Sequence, residues 1–311
     1  MKRNILADGG EWIWSSIKGR KSSQMIWGGN GSRVNERLKE VMVLLEHMPQ
    51  GIQTICDIGM GKGQLSQYFL ERGYQVTGTG LEMESYDIHA AEWKKKGVDI
   101  VPCPVEHMPF GDESFDAVAA CHILEHTANM GLALEEIRRI LVKQGWLLLF
   151  IPAYMDQVVA GHVNTGWNLG QLAYVLLLHG FSIKNGRFIH YGQNLCAFVQ
   201  KSEAVLPPLR GDRGDIHILA QHALFPFQIA EKNGIQDAFE GGRIASINWP
   251  GAKKLIQKRN RELEKRYSGM HRFLISICKC LVQIIGSGKS MKLGKMLLRL
   301  CEDEYNPKNA V

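Results

Sequence analysis

The pattern that most constrains this chain is a regular alternation of short apolar strands and amphipathic helices between residues 53 and 200. The helical segments carry apolar residues at three- and four-residue spacing, whereas the strand segments are short and nearly continuous in apolar residues. An alternation of this kind builds a parallel sheet with helices on both faces and right-handed crossovers. We therefore predict a doubly wound α/β sheet of seven mostly parallel strands, in which the last two strands pair antiparallel.

The elements and domains have definite predicted limits, because glycine and proline punctuate the periodic segments. Strands are predicted at 53–58, 74–79, 98–103, 115–121, 146–151, 181–189 and 194–200. Helices are predicted at 32–48, 64–72, 85–96, 130–142 and 169–179, and helical patterns follow at 216–234, 252–267, 271–285 and 289–301. We expect an N-terminal arm and helix over 1–50, an α/β domain over 51–201, and a linker with a basic helical region over 202–311.

Positive charge is concentrated at the C-terminal end of the sequence. The formal net charge is +6, and from Gly251 onward 14 Lys+Arg stand against 5 Asp+Glu, so residues 1–250 carry 6 − 9 = −3. Within 289–301, Lys292, Lys295 and Arg299 share one helical face. Basic amphipathic helices are typical of elements that bind a membrane surface or a partner protein. The alternative is that these helices pack on the α/β domain with their lysines in water.

The composition is that of an ordinary globular protein, with 45% hydrophobic and 22% charged residues. Seven scattered cysteines form no C-x-x-C pair, which disfavours a disulfide framework or a cysteine zinc site. The first residues lack the apolar run of a signal peptide, and no window is apolar enough to span a membrane. We expect a cytoplasmic protein, with peripheral association on the inner face of the membrane left open.

A glycine-rich loop follows the first predicted strand. Asp57 ends that strand, and Gly59-Met60-Gly61-Lys62-Gly63 leads directly into a helix. Ligands of open parallel sheets bind at the carboxyl ends of the strands, and glycine lets the backbone approach them closely. A dinucleotide loop would place its third glycine where Gln64 stands, and a phosphate loop would have Ser or Thr after its lysine.

The motifs in their order resemble class I S-adenosylmethionine-dependent methyltransferases, in particular the small-molecule branch that includes quinone-biosynthesis enzymes. The run 57–63 is similar to the first motif of that family, 109–118 to its LPF-x-D-x-SFD-x-V segment, and 122–126 to its x-VLEH segment. The resemblance extends over about residues 53–200. It implies a Rossmann-like methyltransferase fold and S-adenosylmethionine as the cofactor.

The resemblance also implies roles for residues that match the family motifs. Asp57 would meet the methionine part of the cofactor, and Gly59 and Gly61 would pass beneath it. Cys121, together with His122, would line the methionine side.

The ribose and adenine positions depart from the family pattern. The acid that usually ends the second strand is replaced by Gly80, so Glu82 is expected to bind the ribose hydroxyls instead. Where the family often has Gly-Asp-Ala after the third strand, this chain has Cys-Pro-Val. Val105 and Glu106 are therefore the candidate adenine contacts.

Methyl transfer requires alignment of the acceptor, and a base assists when the acceptor is a hydroxyl. His122, His126 and His162 are the candidate bases, because imidazole titrates near neutrality. No metal is expected, since the sequence shows no dense His/Asp/Glu cluster.

The region 161–167 resembles bacterial methyltransferases of cell-envelope polysaccharide synthesis, so the expected acceptor is a polar small molecule or a glycan precursor.

Two other readings of the sequence stay open. Gly80 and Pro104 stand where acids are usual, which is compatible with a catalytically silent binding subunit. The basic C-terminal region is compatible with a nucleic-acid methyltransferase. Against the second reading, the chain lacks the Asn/Asp-Pro-Pro-Tyr/Phe motif of enzymes that methylate base amino groups.

Overall fold

The structure is a computed structural model that describes residues 36–81, 90–154, 161–212, 214–225 and 244–265. The chain divides into two compact units, Met1–Pro250 and Gly251–Val311. In the second unit, residues 252–265 are helical, within the helix predicted at 252–267. The helices predicted at 271–285 and 289–301 lie outside the described residues. Within the described ranges, no helix combines the length and the apolar content that crossing a membrane requires.

The first unit is an alternating α/β chain whose elements follow the predicted order. The helices are α1 (Glu36–Leu45), α2 (Gln64–Leu70), α3 (Ala90–Lys95), α4 (Met130–Ile140), α5 (Leu169–Leu178) and α6 (Asp215–Gln221). The strands are β1 (Thr54–Ile58), β2 (Gln75–Gly80), β3 (Val98–Pro102), β4 (Phe115–Cys121), β5 (Leu141–Pro152), β6 (Phe181–Tyr191), β7 (Asn194–Lys201) and β8 (Ser246–Ile247).

The strands form one eight-stranded sheet in the order β3-β2-β1-β4-β5-β7-β6-β8. β1 pairs in parallel with β2 and β4, and β4 pairs in parallel with β5. β7 runs antiparallel to both β5 and β6, which confirms the predicted antiparallel pair. The doubly wound, mostly parallel sheet is thus confirmed. The eighth strand, β8, was not predicted, because two residues carry no strand periodicity.

β4 lies at the centre of the sheet and is buried on both faces. Its residues Ala117, Val118, Ala119 and Ala120 have no exposed surface. Small side chains let helices approach both faces of a central strand, and the continuous apolar run is the pattern expected of a doubly covered strand. The predicted limits of β4 agree with the observed ones.

β5 begins five residues earlier than predicted, at Leu141 instead of 146. The preceding helix accordingly ends at Ile140, before its predicted end at 142. Leu141 pairs with Phe115 at the start of β4, and the register then shifts before Ala117 pairs with Trp146. Pairing with β4 therefore overrides the apolar spacing that made 141 and 142 look helical.

The first compact unit extends to Pro250, beyond residue 201, where the sequence places the end of the α/β domain. Leu219, Phe225 and Ile247 belong to the hydrophobic core of the sheet domain. The hydroxyl of Tyr174 also donates a hydrogen bond to Asp215 Oδ2 at 2.8 Å. The segment after β7 is therefore part of the α/β unit, which its irregular sequence pattern did not indicate.

A carboxylate at the amino end of β4 ties that strand to β1. Asp116 Oδ2 accepts hydrogen bonds from the backbone N–H groups of Gln53 and Thr54 at 2.9 Å and from the Thr54 hydroxyl at 3.1 Å. The Asp116 N–H in turn donates to Thr54 Oγ1 at 2.9 Å. Desolvation opposes ionisation of this carboxyl, but the hydrogen bonds outweigh it and lower its pKa. These bonds fix the register of β1 against β4.

We predict that Asp116→Ala lowers the free energy of unfolding at pH 7 by about 1.5–3 kcal/mol, the range for hydrogen bonds to a charged group. A lowered carboxyl pKa stabilises the fold above the unfolded pKa of about 3.9, and this contribution is lost as pH falls. The deficit should therefore shrink below about pH 4. Urea unfolding at several pH values measures it, with exposed Asp99→Ala as the control. A deficit of the same size at pH 3 would contradict the assignment.

Candidate functional site

Three neighbouring parallel strands end at one edge of the sheet. Asp57 near the end of β1 lies in register with Gly78 of β2 and Ala119 of β4. The residues that follow these strands, including the glycine loop after β1 and His122 after β4, therefore meet at this carboxyl edge. Ligands of open α/β sheets bind at this edge.

Glycine is required at the three loop positions for different structural reasons. Gly59, Gly61 and Gly63 all have positive φ, at 63°, 52° and 76°. A side chain at Gly59 would collide with Ile123, and one at Gly63 would collide with Trp93. A Cβ at Gly61 would meet nothing nearer than the Gly59 carbonyl oxygen at 3.9 Å. Gly61 is thus the glycine whose backbone faces open space, where a ligand can lie against it.

The loop is held against β2 by its own backbone. The Met60 N–H donates to the Thr79 carbonyl at 2.9 Å, and the Gly63 N–H donates to the Met60 carbonyl at 2.8 Å. The buried Met60 side chain occupies the space that a side chain at Gly78 would need. These contacts hold the loop against its own domain.

Asp57 is a buried carboxyl group beside this loop. It is 1% exposed, and its Oδ2 accepts a hydrogen bond of 2.6 Å from the Ser66 hydroxyl. Burial raises the pKa of Asp57 to about 7, although the hydrogen bonds from Ser66 act to lower it. A cationic group placed nearby would favour the ionised form. This carboxyl fits the ammonium group of a bound amino acid such as the methionine part of S-adenosylmethionine.

The predicted ribose and adenine contacts are only partly described. Glu82 lies outside the described residues, so its role stays a prediction. Val105 is buried and belongs to the hydrophobic core, whereas Glu106 is partly exposed in the turn after β3.

Arg139 of α4 fixes the loop between β3 and β4. Its guanidinium donates to the carbonyls of Met108 and Phe110 at 3.0 and 2.7 Å and to Asp112 at 2.9 Å. It also forms a two-point ion pair with Glu136, whose Oε2 accepts from the Met108 N–H at 3.0 Å. The side-chain hydrogen bonds to Glu136 and Asp112 raise the pKa of Arg139. The segment that resembles LPF-x-D-x-SFD is therefore positioned by one arginine.

Cys121 ends β4 close to two acidic side chains. Burial raises the pKa of its thiol, and the charges of Asp57 and Glu125 raise it further. The thiol therefore stays protonated near neutral pH and does not act as a nucleophile. It can still line a ligand site, as the sequence predicts.

His122 follows β4 with both ring nitrogens engaged. Its Nδ1 is hydrogen-bonded to Glu125 Oε1 at 2.9 Å, and its Nε2 to Asn194 Oδ1 at 2.8 Å. The amide nitrogen of Asn194 donates to Glu40 Oε2 at 2.9 Å, which orients the amide. The backbone of His122 has φ of 56°, a conformation that costs a non-glycine residue about 1–2 kcal/mol. Such strain is common where a side chain is held for function.

His126 and His162 are brought together from distant parts of the sequence. Their rings meet edge to face with centroids 4.7 Å apart. Nδ1 of His126 is hydrogen-bonded to the Gly161 carbonyl at 2.9 Å. Desolvation lowers the pKa of His162, so its ring favours the neutral form. The structure therefore places two of the three predicted histidines in direct contact.

The loop that carries His162 is attached to the segment after β4. The N–H groups of Val163 and Asn164 donate to the Glu125 carbonyl at 2.7 and 3.1 Å. The Asn164 side chain donates to the carbonyls of Leu124 and Thr127 at 3.1 and 2.5 Å. These bonds hold His162 beside His126 and Glu125.

Glu125, His126 and His162 form a cluster of possible metal ligands, each with one ligand atom within 4.8 Å of the others. The sequence predicts no metal and shows no dense His/Asp/Glu cluster. This arrangement is not visible in the sequence because His162 lies on the loop after β5, and a loop contact leaves no periodic signal.

Arg37 of α1 is a further charged group that the sequence analysis missed. Desolvation lowers the pKa of His162 and burial raises that of Cys121, and the positive charge of Arg37 adds to the first shift and opposes the second, which places Arg37 near this edge of the sheet. Its Nη2 donates to Gln193 Oε1 at 3.4 Å. An arginine here could bind an anionic group of an acceptor, and nothing in the local sequence distinguished it from a surface arginine.

A charged cleft of about 330 Å³ lies elsewhere on the α/β unit. It contains Glu113, which precedes β4, and Lys201, which ends the antiparallel β7, so it lies at the amino edge of the parallel strands. The other residues that line it are Asp112, Glu135, Arg138 and Arg139. It is therefore separate from the glycine loop and the histidines.

Comparison with known proteins gives matches to methyltransferases. A family described as "Methyltransferase domain" matches residues 56–149. The demethylmenaquinone methyltransferase of Thermotoga maritima is 26% identical over 113 residues, which cover 36% of this chain and 48% of that protein. The malonyl-[acyl-carrier protein] O-methyltransferase of Erwinia pyrifoliae is 34% identical over 108 residues, covering 34% of this chain and 40% of that protein.

A solved structure with a similar chain course is the 1,6-didemethyltoxoflavin-N1-methyltransferase of Burkholderia thailandensis, with a TM-score of 0.45 and 19% identity. The similarity covers 62% of this chain and 87% of that protein. The chain spans less than half the length of the two curated relatives above. The family match covers the segment from β1 to β5, which contains the glycine loop, Asp57 and the residues after β4. Residues 56–149 are therefore similar to a methyltransferase domain, and the two curated relatives above are methyltransferases.

Proposed function

We propose that this chain transfers a methyl group from S-adenosylmethionine to a polar small-molecule acceptor. The observation that carries the proposal is the pairing of a buried carboxyl at Asp57 with an open backbone at Gly61 on the carboxyl edge of the sheet. The Asp57 carboxyl can bind the ammonium group at the amino-acid end of the cofactor. The open backbone at Gly61 lets the rest of the cofactor lie close to the loop.

The chain's own contribution to such a reaction is mainly alignment and exclusion of water. When bound, S-adenosylmethionine supplies a methyl group made electrophilic by the positive charge on sulfur. Holding the acceptor in line with that group can supply about 7–11 kcal/mol of barrier reduction. Asp57 and Gly61 would fix the cofactor, and the loops after β4 and β5 would position the acceptor.

The rim of the site has apolar residues that suit an organic ligand. Of the five large apolar residues that the described part of the chain leaves exposed, Leu81, Tyr154 and Val163 lie at the carboxyl edge. Exposed apolar groups around a polar centre are typical of ligand-binding surfaces. Their positions after β2 and β5 favour a ligand with apolar parts over a ligand that consists only of charged groups.

An acceptor hydroxyl would have to lose its proton during transfer, and a positioned base typically adds 10²–10⁴-fold to the rate. His126 and His162 are better placed for this role than His122, because both nitrogens of His122 are already hydrogen-bonded. As a finer proposal, the acceptor is a glycan precursor of cell-envelope synthesis, supported by the 161–167 segment. Tritiated-methyl transfer into sugar-nucleotide fractions of a cell extract tests it.

The two alternatives make different predictions for the same protein. A silent binding subunit would bind S-adenosylmethionine without producing S-adenosylhomocysteine in any extract fraction. A nucleic-acid methyltransferase would label RNA or DNA and would show a steep dependence of binding on salt. Label in the small-molecule fraction would exclude both.

We predict that Gly61→Val weakens S-adenosylmethionine binding, with the dissociation constant raised at least about tenfold, which is about 1.4 kcal/mol. A branched side chain would fill the space that the cofactor needs. Calorimetry measures the affinity. Gly51→Val is the matched control, because Gly51 also has positive φ and an open surrounding but precedes β1. Equal affinities for both variants would remove Gly61 from the site.

We predict that Asp57→Asn weakens S-adenosylmethionine binding by about 1.5–3 kcal/mol while leaving the ligand-free fold at least as stable at pH 8. The pKa of Asp57 is raised to about 7 by burial, so the folded state holds its proton more tightly than the unfolded state. Stability contributed by that proton is present at low pH and is lost as pH rises from about 4 to 7. Asparagine cannot ionise, so the variant should lose this dependence of stability on pH.

As pH rises, the affinity of the wild type for S-adenosylmethionine should therefore increase, whereas its free energy of unfolding should decrease. In the wild type, cofactor affinity should rise as pH passes 7, because the carboxylate forms. Thermal melting and calorimetry at pH 6, 7 and 8 measure both quantities. Ser66→Ala removes the hydroxyl donor of Asp57 and should shift the affinity change to higher pH. An affinity that is independent of pH would argue against contact between Asp57 and the cofactor ammonium.

We also propose that the basic C-terminal region docks the protein on an anionic membrane face. The excess of 14 Lys+Arg over 5 Asp+Glu from Gly251 onward supports this, and the docking helix 289–301 lies outside the described residues. Each basic residue adds about 1 kcal/mol near an anionic surface. We predict that the full chain sediments with anionic liposomes at low salt and not with neutral ones. A chain ending at 250 should not sediment, and equal sedimentation of both chains would contradict docking.

A further inference from the structure

We propose that Glu125, His126 and His162 bind a divalent transition-metal ion at the carboxyl edge of the sheet. Two imidazoles and one carboxylate form a set of ligands typical of zinc and of non-haem iron sites in proteins. Their ligand atoms lie within 4.8 Å of one another. Ligands of a bound zinc lie about 2.0–2.2 Å from the ion, so only a modest inward movement is needed.

The second observation is an unsatisfied oxygen on the buried carboxylate. Glu125 has no exposed surface, and its Oε1 is hydrogen-bonded to His122, but its Oε2 is buried without a hydrogen-bond partner. A buried carboxylate oxygen without a donor is unfavourable, because nothing replaces the hydrogen bonds that it makes to water. A cation bound to Oε2 would satisfy it. His122 would then orient the carboxylate from the other side, as the outer partners of metal ligands do.

The arrangement of the histidine rings also suits metal binding. A carbonyl oxygen can only accept, so the bond between His126 Nδ1 and the Gly161 carbonyl places the proton on Nδ1 and leaves Nε2 with its lone pair. Donation of the second ring N–H to a backbone carbonyl is the usual arrangement of metal-binding histidines. The ring of His162 lies against the ring of His126 with centroids 4.7 Å apart, so the two imidazoles are held beside each other.

The charges around the cluster are compatible with a single divalent ion. Glu125 contributes one negative charge, and Glu40 lies beyond His122 and Asn194 in the same hydrogen-bonded chain. Arg37 is the opposing positive group, close enough to influence His162. Three protein ligands would leave a coordination position for an oxygen of the acceptor, which is the arrangement of catalytic metal sites. This last role rests on the proposed function, whereas metal binding itself does not.

The inference is tested by metal binding to the full-length, tag-free protein. Calorimetry with Zn²⁺ should show one equivalent bound, and Co²⁺ should give visible absorption bands characteristic of nitrogen and oxygen ligands. Mg²⁺, which prefers oxygen ligands, should bind far more weakly. Loss of an outer partner of a ligand typically lowers metal affinity about 10–100-fold, so His126→Ala and His162→Ala should each lower it at least as much.

His222→Ala is the matched control, because His222 is an exposed histidine at the end of α6 and should leave affinity unchanged. Circular dichroism checks that each variant folds, and His162 lies on a loop where truncation is best tolerated. Absence of a stoichiometric Zn²⁺ site, absence of Co²⁺ bands in the unaltered protein, or wild-type affinity in both variants would overturn the inference. S-adenosylmethionine affinity is measured separately with chelator present, so failure of cofactor binding and failure of metal binding are distinguishable.

Discussion

The central position of β4 is the constraint on which the rest of the site depends. Parallel pairing with β1 brings the carboxyl end of β4 beside Asp57, and pairing with β5 brings the loop of His162 to the same edge. Asp116 fixes this register from the opposite end. A slip of one residue would exchange the faces of every side chain on the strand. The register of β4 therefore decides which residues meet at the carboxyl edge.

The glycine loop shows that one motif can combine two physical requirements. Gly59 and Gly63 are needed because Ile123 and Trp93 occupy the space of their side chains, and Gly78 is needed because Met60 packs there. Of the three loop glycines, Gly61 alone faces open space. The sequence predicts that Gly59 and Gly61 pass beneath the ligand, and the structure shows a packing requirement at Gly59 and Gly63. This packing restrains the loop, and a restrained loop loses less entropy when a ligand binds.

The sequence predicted most of the sheet, because periodicity and glycine punctuation are local signals. The limits of β4, the antiparallel pair of β6 and β7, and the loop after β1 all follow from such signals. The start of β5 at Leu141, the two-residue β8 and the core position of Phe225 depend on contacts between distant segments. The same reason explains why His162 was predicted as a possible base but its contact with His126 was not.

The hydrogen-bonded chain from Glu40 to Glu125 determines which ring nitrogen of His122 carries a proton, and the sequence does not show this. Asn194 turns its amide nitrogen to Glu40, so its oxygen faces His122, and the Nε2 of that ring must donate. Nδ1 faces Glu125 Oε1, which is also an acceptor when the carboxyl is ionised. A neutral imidazole facing two acceptor oxygens would satisfy only one of them. His122 is thus held between the Asn194 amide oxygen and the Glu125 carboxylate, so proton transfer to or from an acceptor at this edge would fall to His126 or His162.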